Sequence, residues 1–438
     1  DSTSTKLRLP ESNINAKDND SSREFVTTEK PTSCSCKCRD DPSRVFASPL
    51  SKDQVREVLL REANYDPSFK QVHKRQEGVL DWDSYFMAVA LLSARRSKDP
   101  TSPTGACVVD SQNRVVGIGY NGFPQGCSDD VLPWMREGRE WLHTPDPYMC
   151  HAEVNALLNK CTQEVVGARL YVPDFPCNEC AKVIVQSRIQ EVVYMRDDHH
   201  EEQTYRASRI LFEMAGVQTR RFHPPLESLT LTMFRHTAEV QNEETQPISP
   251  QDDATHRHRD LLKREANWDC VAEGVSKRRD YLTWEEYFMA MAFLTAKRSK
   301  DPNTQVGACL VNPQKRIVGL GYNGFPRGGS DDALPWARHA DNRLHTKYPY
   351  VCHAEVNAVL NKCSASLQDA ILYVAMFPCN ECAKVIIQSG IQEVVYLHDP
   401  YHDTDPCRAS RILFAMAGVK CRQLVPKIPQ VHLHFKKF

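Results

Sequence analysis

The sequence predicts an α/β protein built from two tandem three-layer α/β/α domains, each with a mixed, mainly parallel sheet. Two observations lead to this class. The chain repeats itself without a gap from about Trp82 to Gly216, since matching residues such as Trp82 and Trp284 all lie 202 positions apart. Within each repeat, helical apolar spacing alternates with short β-rich runs, which indicates a sheet covered by helices on both faces.

The second repeat shows the predicted elements in order. Apolar residues recur at helical spacing among good helix formers over 284–299, which predicts a helix. Two β-rich runs with turn residues between them then predict a hairpin over 306–322. The remaining elements alternate as helix 353–363, strand 371–376, helix 379–389, strand 393–397 and helix 408–418, the last ended by Gly418.

Polar segments set the expected domain boundaries. Residues 1–50 contain few large apolar side chains, so we expect a disordered tail there. A second polar stretch over 236–258 is expected to be a linker. The first domain is then predicted at 51–235 and the second at 259–438.

Composition limits the partners and the compartment. A net charge of −1 indicates no positive field for nucleic acid, and no apolar run approaches the roughly 20 residues that span a bilayer. We therefore expect neither a nucleic-acid nor a membrane partner. The 17 cysteines are an odd, scattered set, which favours a reducing compartment, the cytoplasm or alternatively the nucleus, over a disulfide framework. The tail cluster of Cys34, Cys36 and Cys38 is interpreted as reduced thiols rather than a further metal site.

One motif occurs once in each repeat and predicts a metal site. A histidine is followed about 25 residues later by Pro-Cys-Asn-Glu-Cys. One imidazole and two thiolates form a three-ligand zinc site with an open fourth position, so we expect one zinc ion per domain and two per chain. The predicted ligands are His353, Cys379 and Cys382 in the second repeat, and His151, Cys177 and Cys180 in the first.

A glutamate lies two residues after each ligand histidine and gives the sites a catalytic character. Glu355 and Glu153 are not predicted ligands; each is placed to move protons from zinc-bound water. A structural zinc site has no need of such a carboxylate and is closed by a fourth protein ligand, commonly cysteine. The neighbouring Cys150 and Cys352 are interpreted as packing residues instead.

With these motifs in place, the chain resembles the zinc-dependent nucleobase deaminases. The second repeat, from about Asp280 to Phe438, resembles the deoxycytidylate (dCMP) deaminases through stretches such as IVGLGYNGFPRGGSDDALPW and LYVAMFPCNECAKVIIQSGI. The first repeat resembles them from about Leu80 to Phe222. The resemblance implies a tandem duplication of the cytidine-deaminase-like fold and hydrolysis of dCMP to dUMP, a thymidylate precursor.

The resemblance also implies roles for further residues. Glu355 would take a proton from water and deliver it to N3 of the cytosine ring. Asn303 would help to hold the 5′-phosphate, and Tyr401 would lie near the nucleotide. The loop Gly321, Tyr322, Asn323 and Gly324 resembles one that binds a regulatory deoxynucleoside triphosphate, dCTP or dTTP, between subunits. Similar enzymes are commonly hexamers of single domains, so three of these chains would form an equivalent trimer.

The repeats differ at the positions expected to face the nucleotide. Asn303, Gln305 and Tyr401 are replaced in the first repeat by Thr101, Pro103 and His199, and Lys347-Tyr348 by Pro145-Asp146. Two interpretations stay open. The differences are ordinary drift in surface loops, or the first repeat keeps zinc, binds dCMP poorly and serves a structural or regulatory role.

Three other functions compete with dCMP deamination. The nearest is deamination of another free cytosine nucleotide such as dCTP. A polynucleotide cytosine deaminase is disfavoured, because the pI is about 7.0 and no basic stretch is interleaved with aromatic residues. A non-catalytic scaffold is disfavoured because both glutamates are present.

Overall fold

Each repeat forms a five-stranded mixed sheet in the computed structural model, which describes residues 52–65, 75–138, 140–233, 253–266 and 276–435. The predicted tail lies outside the described residues, as does most of the predicted linker. The last six linker positions, from Asp253, instead begin a helix that runs to Ala266. None of the helices in the described ranges is long and apolar enough to cross a membrane.

The first repeat contains five helices and six strands within the described ranges. The helices are α1 Lys52–Ala63, α2 Trp82–Ala94, α3 Ala152–Leu158, α4 Asn178–Gln186 and α5 Gln203–Ala215. The strands are β1 Gly105–Val109, β2 Val115–Tyr120, β3 Arg169–Asp174, β4 Glu191–Arg196, β5 Gln218–Arg221 and β6 Ser228–Thr232.

The second repeat has the same elements. Its helices are α6 Asp253–Ala266, α7 Trp284–Ala296, α8 Ala354–Leu360, α9 Asn380–Gln388 and α10 Asp405–Ala417. Its strands are β7 Gly307–Val311, β8 Ile317–Tyr322, β9 Ile371–Met376, β10 Glu393–His398, β11 Lys420–Gln423 and β12 Gln430–His434. All predicted elements of this repeat are confirmed, and α10 ends at Gly418 in the left-handed conformation, with φ 72°.

Strand order defines the mixed sheet. It is β2-β1-β3-β4-β5 in the first repeat and β8-β7-β9-β10-β11 in the second. The hairpin strand β1 is antiparallel to both β2 and β3, whereas β3, β4 and β5 are parallel. The predicted fold class is confirmed, with the parallel part confined to the three strands that helices connect.

Side-chain alternation on the strands produces the three layers. Along β1, Cys107 and Val109 pack into the core cluster that contains α2, whereas Ala106 and Val108 pack into the cluster that contains α3 and α4. Successive strand residues point to opposite faces of the sheet, so a strand of apolar residues contributes buried side chains to the helix layers on both faces. All five residues of β1 are buried for this reason.

The two repeats share one hydrophobic core, which their duplication alone does not reveal. Residues of α2 and α7 belong to the same buried cluster, and the two helices are in contact. Tyr85 shares a hydrogen bond with Thr295 at 3.0 Å, and Tyr287 shares one with Ser93 at 3.0 Å. The pairing is reciprocal between equivalent positions, as in an isologous dimer interface.

Cation–π contacts and a small sheet extend this internal interface. The guanidinium of Arg96 lies 4.0 Å from the ring centre of Trp284, and that of Arg298 lies 3.9 Å from that of Trp82. Strands β6 and β12, one from each repeat, pair antiparallel. The two copies are therefore joined by side-chain and strand contacts as well as by the chain connection.

One disulfide differs from the expectation of reduced cysteines. Cys161 and Cys363 occupy equivalent positions and are bonded to each other, with their Cα atoms 5.9 Å apart. A two-fold relation brings a residue near the axis close to its own equivalent, so the pairing arises from how the repeats associate. Sequence spacing contains no such information, and the other described cysteines are free thiols.

Close helix–strand approach at Gly307 leads to a stability prediction. A Cβ atom there would lie 2.0 Å from the backbone oxygen of Ala292 and 2.5 Å from the nitrogen of Ala296. We expect Gly307→Ala to destabilise the fold by about 1–3 kcal/mol or more, because the backbone of α7 must move away. Thermal unfolding measures the loss. The control is Gly122→Ala, where the added atom meets nothing within 4 Å; equal stability of the two variants would contradict the packing described.

Candidate active sites

The predicted metal ligands lie where helices begin. His353 precedes the first turn of α8 and Cys379 that of α9, both with extended backbone, and neither side chain caps its helix. Cys382 is one turn into α9 and is buried. The ligand atoms are thus left available to an ion, at helix ends whose dipole favours thiolate. The first copy repeats this arrangement with His151, Cys177 and Cys180.

The three ligand atoms of each copy lie close together. The Nδ1 atom of His353 is 3.2 Å from Sγ of Cys382 and 3.5 Å from Sγ of Cys379. The corresponding distances in the first copy are also 3.2 and 3.5 Å. Within each triad all donor atoms fall within 4.8 Å of one another. One nitrogen and two sulfurs at these separations fit a single zinc ion and leave its fourth position open.

Protonation of the triads also suits a metal. The Cys382 thiol and then the His353 ring hydrogen-bond to Cys379 and lower the pKa of that thiol to about 3. The same bond to Cys379 raises the pKa of His353 to about 9. The bond to Cys379 also raises the pKa of the Cys382 thiol, so the ring and this thiol hold protons where a metal ion would bind. Zinc must displace such protons, so its binding should strengthen as pH rises.

A buried carboxylate lies beside each triad. Glu355 is 6 % exposed and Glu153 is 7 % exposed. Burial raises the pKa of both carboxyl groups. A glutamate whose pKa moves toward neutrality can both accept and donate a proton at physiological pH. Neither glutamate belongs to the clusters that could hold an ion, and the proton-transfer role of both stays a prediction.

Asn303 and Tyr401 both lie on the exposed side of the second copy. The backbone N–H of Asn303 donates to Asp301 at 2.9 Å, and its side-chain amide donates to the carbonyl of Trp336 at 3.1 Å. Tyr401 is 43 % exposed, and its hydroxyl accepts from Arg338 at 3.4 Å. Asn303 contacts Trp336, and Arg338, two residues further along the chain, contacts Tyr401. The segment 336–338 therefore connects the two predicted nucleotide-binding residues.

The predicted regulatory loop divides into a structural part and a part that lines a cavity. Gly321 lies against α8, where a Cβ atom would be 2.1 Å from the nitrogen of Ala358. Asn323 is buried and donates to Asp301 at 3.1 Å. Tyr322 and Gly324 instead line a cavity of about 540 Å³. Its wall also includes residues of the first copy, among them Trp82, Asn113 and Arg114.

Two charged residues of this region, Asp301 and Arg338, were not predicted as site residues. Asp301 forms an ion pair with Lys347, whose exchange for Pro145 was visible in the sequence. A usable signal was that the aspartate and the arginine both recur 202 positions apart, as Asp99 and Arg136. Their interaction was not predictable, because it joins separate loops.

Fold and site together define a class of protein. A three-layer α/β/α domain with a Cys2His triad at two helix starts and a buried glutamate beside it is a metal-dependent hydrolytic centre of the nucleobase deaminase type. Residues 80–196 and 282–398 each match the family described as the cytidine and deoxycytidylate deaminase zinc-binding region. The chain belongs to this deaminase family and contains two of its domains.

Two sequence relatives support the same membership. Deoxycytidylate deaminase of Homo sapiens is 61% identical over 159 residues, which are 36% of this chain and 89% of that protein. The probable deoxycytidylate deaminase of Drosophila melanogaster is 49% identical over 164 residues, 36% of this chain and 80% of that protein. Among solved structures, the cyanophage S-TIM5 dCMP deaminase in complex with dCMP and dUMP is 28% identical, covering 32% of this chain and 96% of that chain, with a TM-score of 0.26.

Proposed function

We propose that this chain hydrolyses dCMP to dUMP and ammonia, with one zinc ion in each domain and most of the activity in the second. The observation that carries the proposal is the buried Glu355 beside the triad of His353, Cys379 and Cys382. The name and 61% identity of the Homo sapiens relative support dCMP as the substrate.

The residues present suggest how the reaction proceeds. His353, Cys379 and Cys382 would hold zinc, which when bound supplies a Lewis acid for the activation of water. Glu355 accepts the proton that the attacking water loses as its oxygen bonds to C4 of the ring. The same carboxyl group donates to N3 and then assists departure of the 4-amino group as ammonia. Burial of Glu355, which raises its pKa, suits this repeated exchange.

Differences at the positions expected to contact the nucleotide support the assignment of activity to the second copy. Asn303 and Tyr401 offer an amide and a phenol there, whereas Thr101 and His199 stand at the equivalent positions of the first copy. His199 is paired with Glu202 at 2.7 Å and stacks on Tyr205. Pro103 also lacks a backbone donor. We therefore propose a structural or regulatory role for the first copy.

A substrate panel tests the proposal against its competitors. Purified full-length protein loaded with zinc is incubated in parallel with dCMP, dCTP, cytidine and single-stranded DNA, and ammonia release is measured. We expect dCMP to be consumed with the highest kcat/KM and dUMP to be its product. A preference for dCTP or for DNA would replace the proposed substrate, and no release from any of the four would contradict the enzyme assignment.

The cavity between the copies supports regulation by a deoxynucleoside triphosphate. Tyr322, Gly324 and Arg327 line it from the second copy, and Trp82 and Arg114 from the first. Arg327 offers charge to phosphates, and the rings of Tyr322 and Trp82 offer stacking surface to a base. Arg114 is already paired with Asp110 at 2.7 Å. A ligand bound across two copies can bias their relative arrangement, which is the requirement for coupling between sites.

The regulatory prediction concerns the shape of the rate curve. We expect a sigmoidal dependence of rate on dCMP that becomes hyperbolic when dCTP is present, with dTTP acting at the same cavity. Arg327→Gln should weaken the response to dCTP while the maximal rate is kept. Hyperbolic kinetics that neither triphosphate changes would exclude this regulation.

Repeated apolar side chains on the surface support assembly into a trimer of tandem chains. Met214 is 83 % exposed and Met416, its equivalent, is 82 % exposed. Each lies one helical turn from another exposed apolar residue, Ile210 on α5 and Ile412 on α10. Contact between neighbouring domains in a ring of six would remove these pairs of apolar side chains from water.

The assembly prediction is tested by light scattering. We expect a mass of about 150 kDa, three times the 49.9 kDa chain. Met214→Lys together with Met416→Lys should lower that mass, because a charge then replaces apolar surface at the contact. A single species near 50 kDa with full activity would contradict the trimer.

A further inference from the structure

A buried aspartate organises the same loop in both copies. Asp301 and Asp99 are each 1% exposed at the side chain. One carboxylate oxygen of Asp301 accepts the backbone N–H groups of Asn303 and Thr304, at 2.9 and 3.2 Å, and the other accepts from Asn323 at 3.1 Å. Asp99 makes the equivalent bonds in the first copy. A carboxylate this deeply buried requires a cationic partner.

The cation that serves this aspartate differs between the copies. In the second copy it is Lys347, which is 8% exposed and forms an ion pair with Asp301. In the first copy Pro145 stands at the lysine position, and Arg136 takes its place, with a nitrogen 2.9 Å from Asp99. The other terminal nitrogen of Arg136 lies 3.2 Å from Asp146. Arg136 is thus neutralised by two carboxylates.

The equivalent arginine of the second copy, Arg338, has different partners from those of Arg136. Arg338 is exposed, and its guanidinium donates to the phenol oxygens of Tyr348 and Tyr401. Neither contact is with a carboxylate, so these contacts do not cancel the guanidinium charge. Lys347 makes this possible, because it pairs with Asp301, the buried carboxylate that binds the equivalent arginine in the first copy.

The position of Arg338 indicates which ligand would use its charge. It lies two residues after Trp336, whose carbonyl accepts from Asn303, and it contacts Tyr401. Lys347 in turn lies near enough to the triad for its charge to act on His353. An uncancelled guanidinium at the rim of the site matches a dianionic phosphomonoester, which it can bind through two hydrogen bonds.

We propose that Arg338 binds the 5′-phosphate of the substrate and that Lys347 is a positioning residue that keeps Arg338 available by pairing with Asp301. This inference rests on the proposed function, since it concerns the same site. In the first copy the exchange of Lys347 for Pro145 turns Arg136 inward and removes the phosphate-binding charge. The first copy is thereby excluded from monophosphate substrates by a charge rearrangement rather than by loss of its metal ligands.

Two single variants test the positioning role. Lys347→Met removes the ammonium with little change in size, so Arg338 should turn toward Asp301. We expect KM for dCMP to rise on the order of 10- to 100-fold with a much smaller change in kcat, as for a lost charged hydrogen bond. Arg338→Gln should raise KM similarly. Deoxycytidine, which has no phosphate, should be turned over with kcat/KM unchanged in both variants.

Rescue separates positioning from a structural effect. Asp301→Asn added to Lys347→Met removes the carboxylate that attracts Arg338, so KM for dCMP should fall back toward the wild-type value. The matched control is Arg343→Gln, another exposed arginine of the same segment, which should leave KM unchanged.

The outcomes distinguish this inference from the proposed function. A wild-type chain that does not release ammonia from dCMP contradicts the proposed function itself. A wild-type chain that does, together with an Arg338→Gln variant of unchanged KM, contradicts the inference alone. Arg338 is exposed, so this second variant stays informative if Lys347→Met does not fold. A double variant no better than Lys347→Met also contradicts the positioning role.

Discussion

Replacement of Glu355 by Gln is expected to lower kcat for dCMP by about 10²- to 10⁴-fold. Glutamine keeps the size and a hydrogen-bonding oxygen, but it cannot accept the proton from water or deliver it to N3. The carboxylate is not among the atoms that could hold a metal ion, so zinc content should be unchanged. Steady-state ammonia release and metal analysis of the same sample measure both quantities.

The matched control is Glu153→Gln, the equivalent change in the first copy. It removes an equally buried carboxylate, so it reproduces the effect on folding without the proposed effect on catalysis. We expect it to retain most of the activity. Near wild-type turnover by Glu355→Gln would overturn the assigned role, and equal losses in both variants would show that both copies contribute.

The second large effect concerns the metal. Cys382→Ser should remove zinc from the second triad and abolish dCMP turnover, because serine is a poor substitute for thiolate as a zinc ligand. Zinc content should fall from two ions per chain to one. Cys180→Ser should cause the same loss of one ion with most activity retained.

Metal analysis of the wild-type chain provides the check on this prediction. Two zinc ions per chain are expected because the triads have the same donor distances in both copies. A reproducible value of one ion that is lost in His353→Ala would mean that the first triad is empty. The removal of zinc by a chelator should become easier as pH falls, since protons compete at the histidine whose pKa is raised to about 9.

The sequence was sufficient to predict the elements that follow from local apolar patterns and the metal ligands that follow from a short motif. Helix α7 and the hairpin of β7 and β8 follow from apolar periodicity, and both are present as predicted. The Cys379 and Cys382 spacing places two sulfurs on one turn of α9, so the triad was predictable as well. Because the sequence repeats 202 residues apart, the same predictions hold for the equivalent elements of the first repeat.

Features that depend on contact between distant segments were not predictable. The short polar strand β11 has no apolar alternation to mark it. Strand β12 does alternate polar and apolar residues, but its partner, β6 of the other repeat, lies about 200 residues away in the chain. The disulfide of Cys161 and Cys363 depends on the same association. The buried aspartate is paired with Lys347 in the second copy and with Arg136 in the first. This difference is visible only in the distances around Asp301 and Asp99, which residue spacing in the sequence does not encode.

The most direct test of the central claim, one dCMP site among two zinc centres, is a calorimetric titration with a transition-state analogue. A dCMP analogue that lacks the 4-amino group adds water across its 3,4 bond and then mimics the tetrahedral adduct, and such analogues bind far more tightly than substrates. With the zinc-loaded full chain we predict one tight site per chain, and in Arg338→Gln one site whose Kd is raised on the order of 10- to 100-fold. Two equivalent tight sites per chain, or no binding by the wild-type protein, would contradict the account.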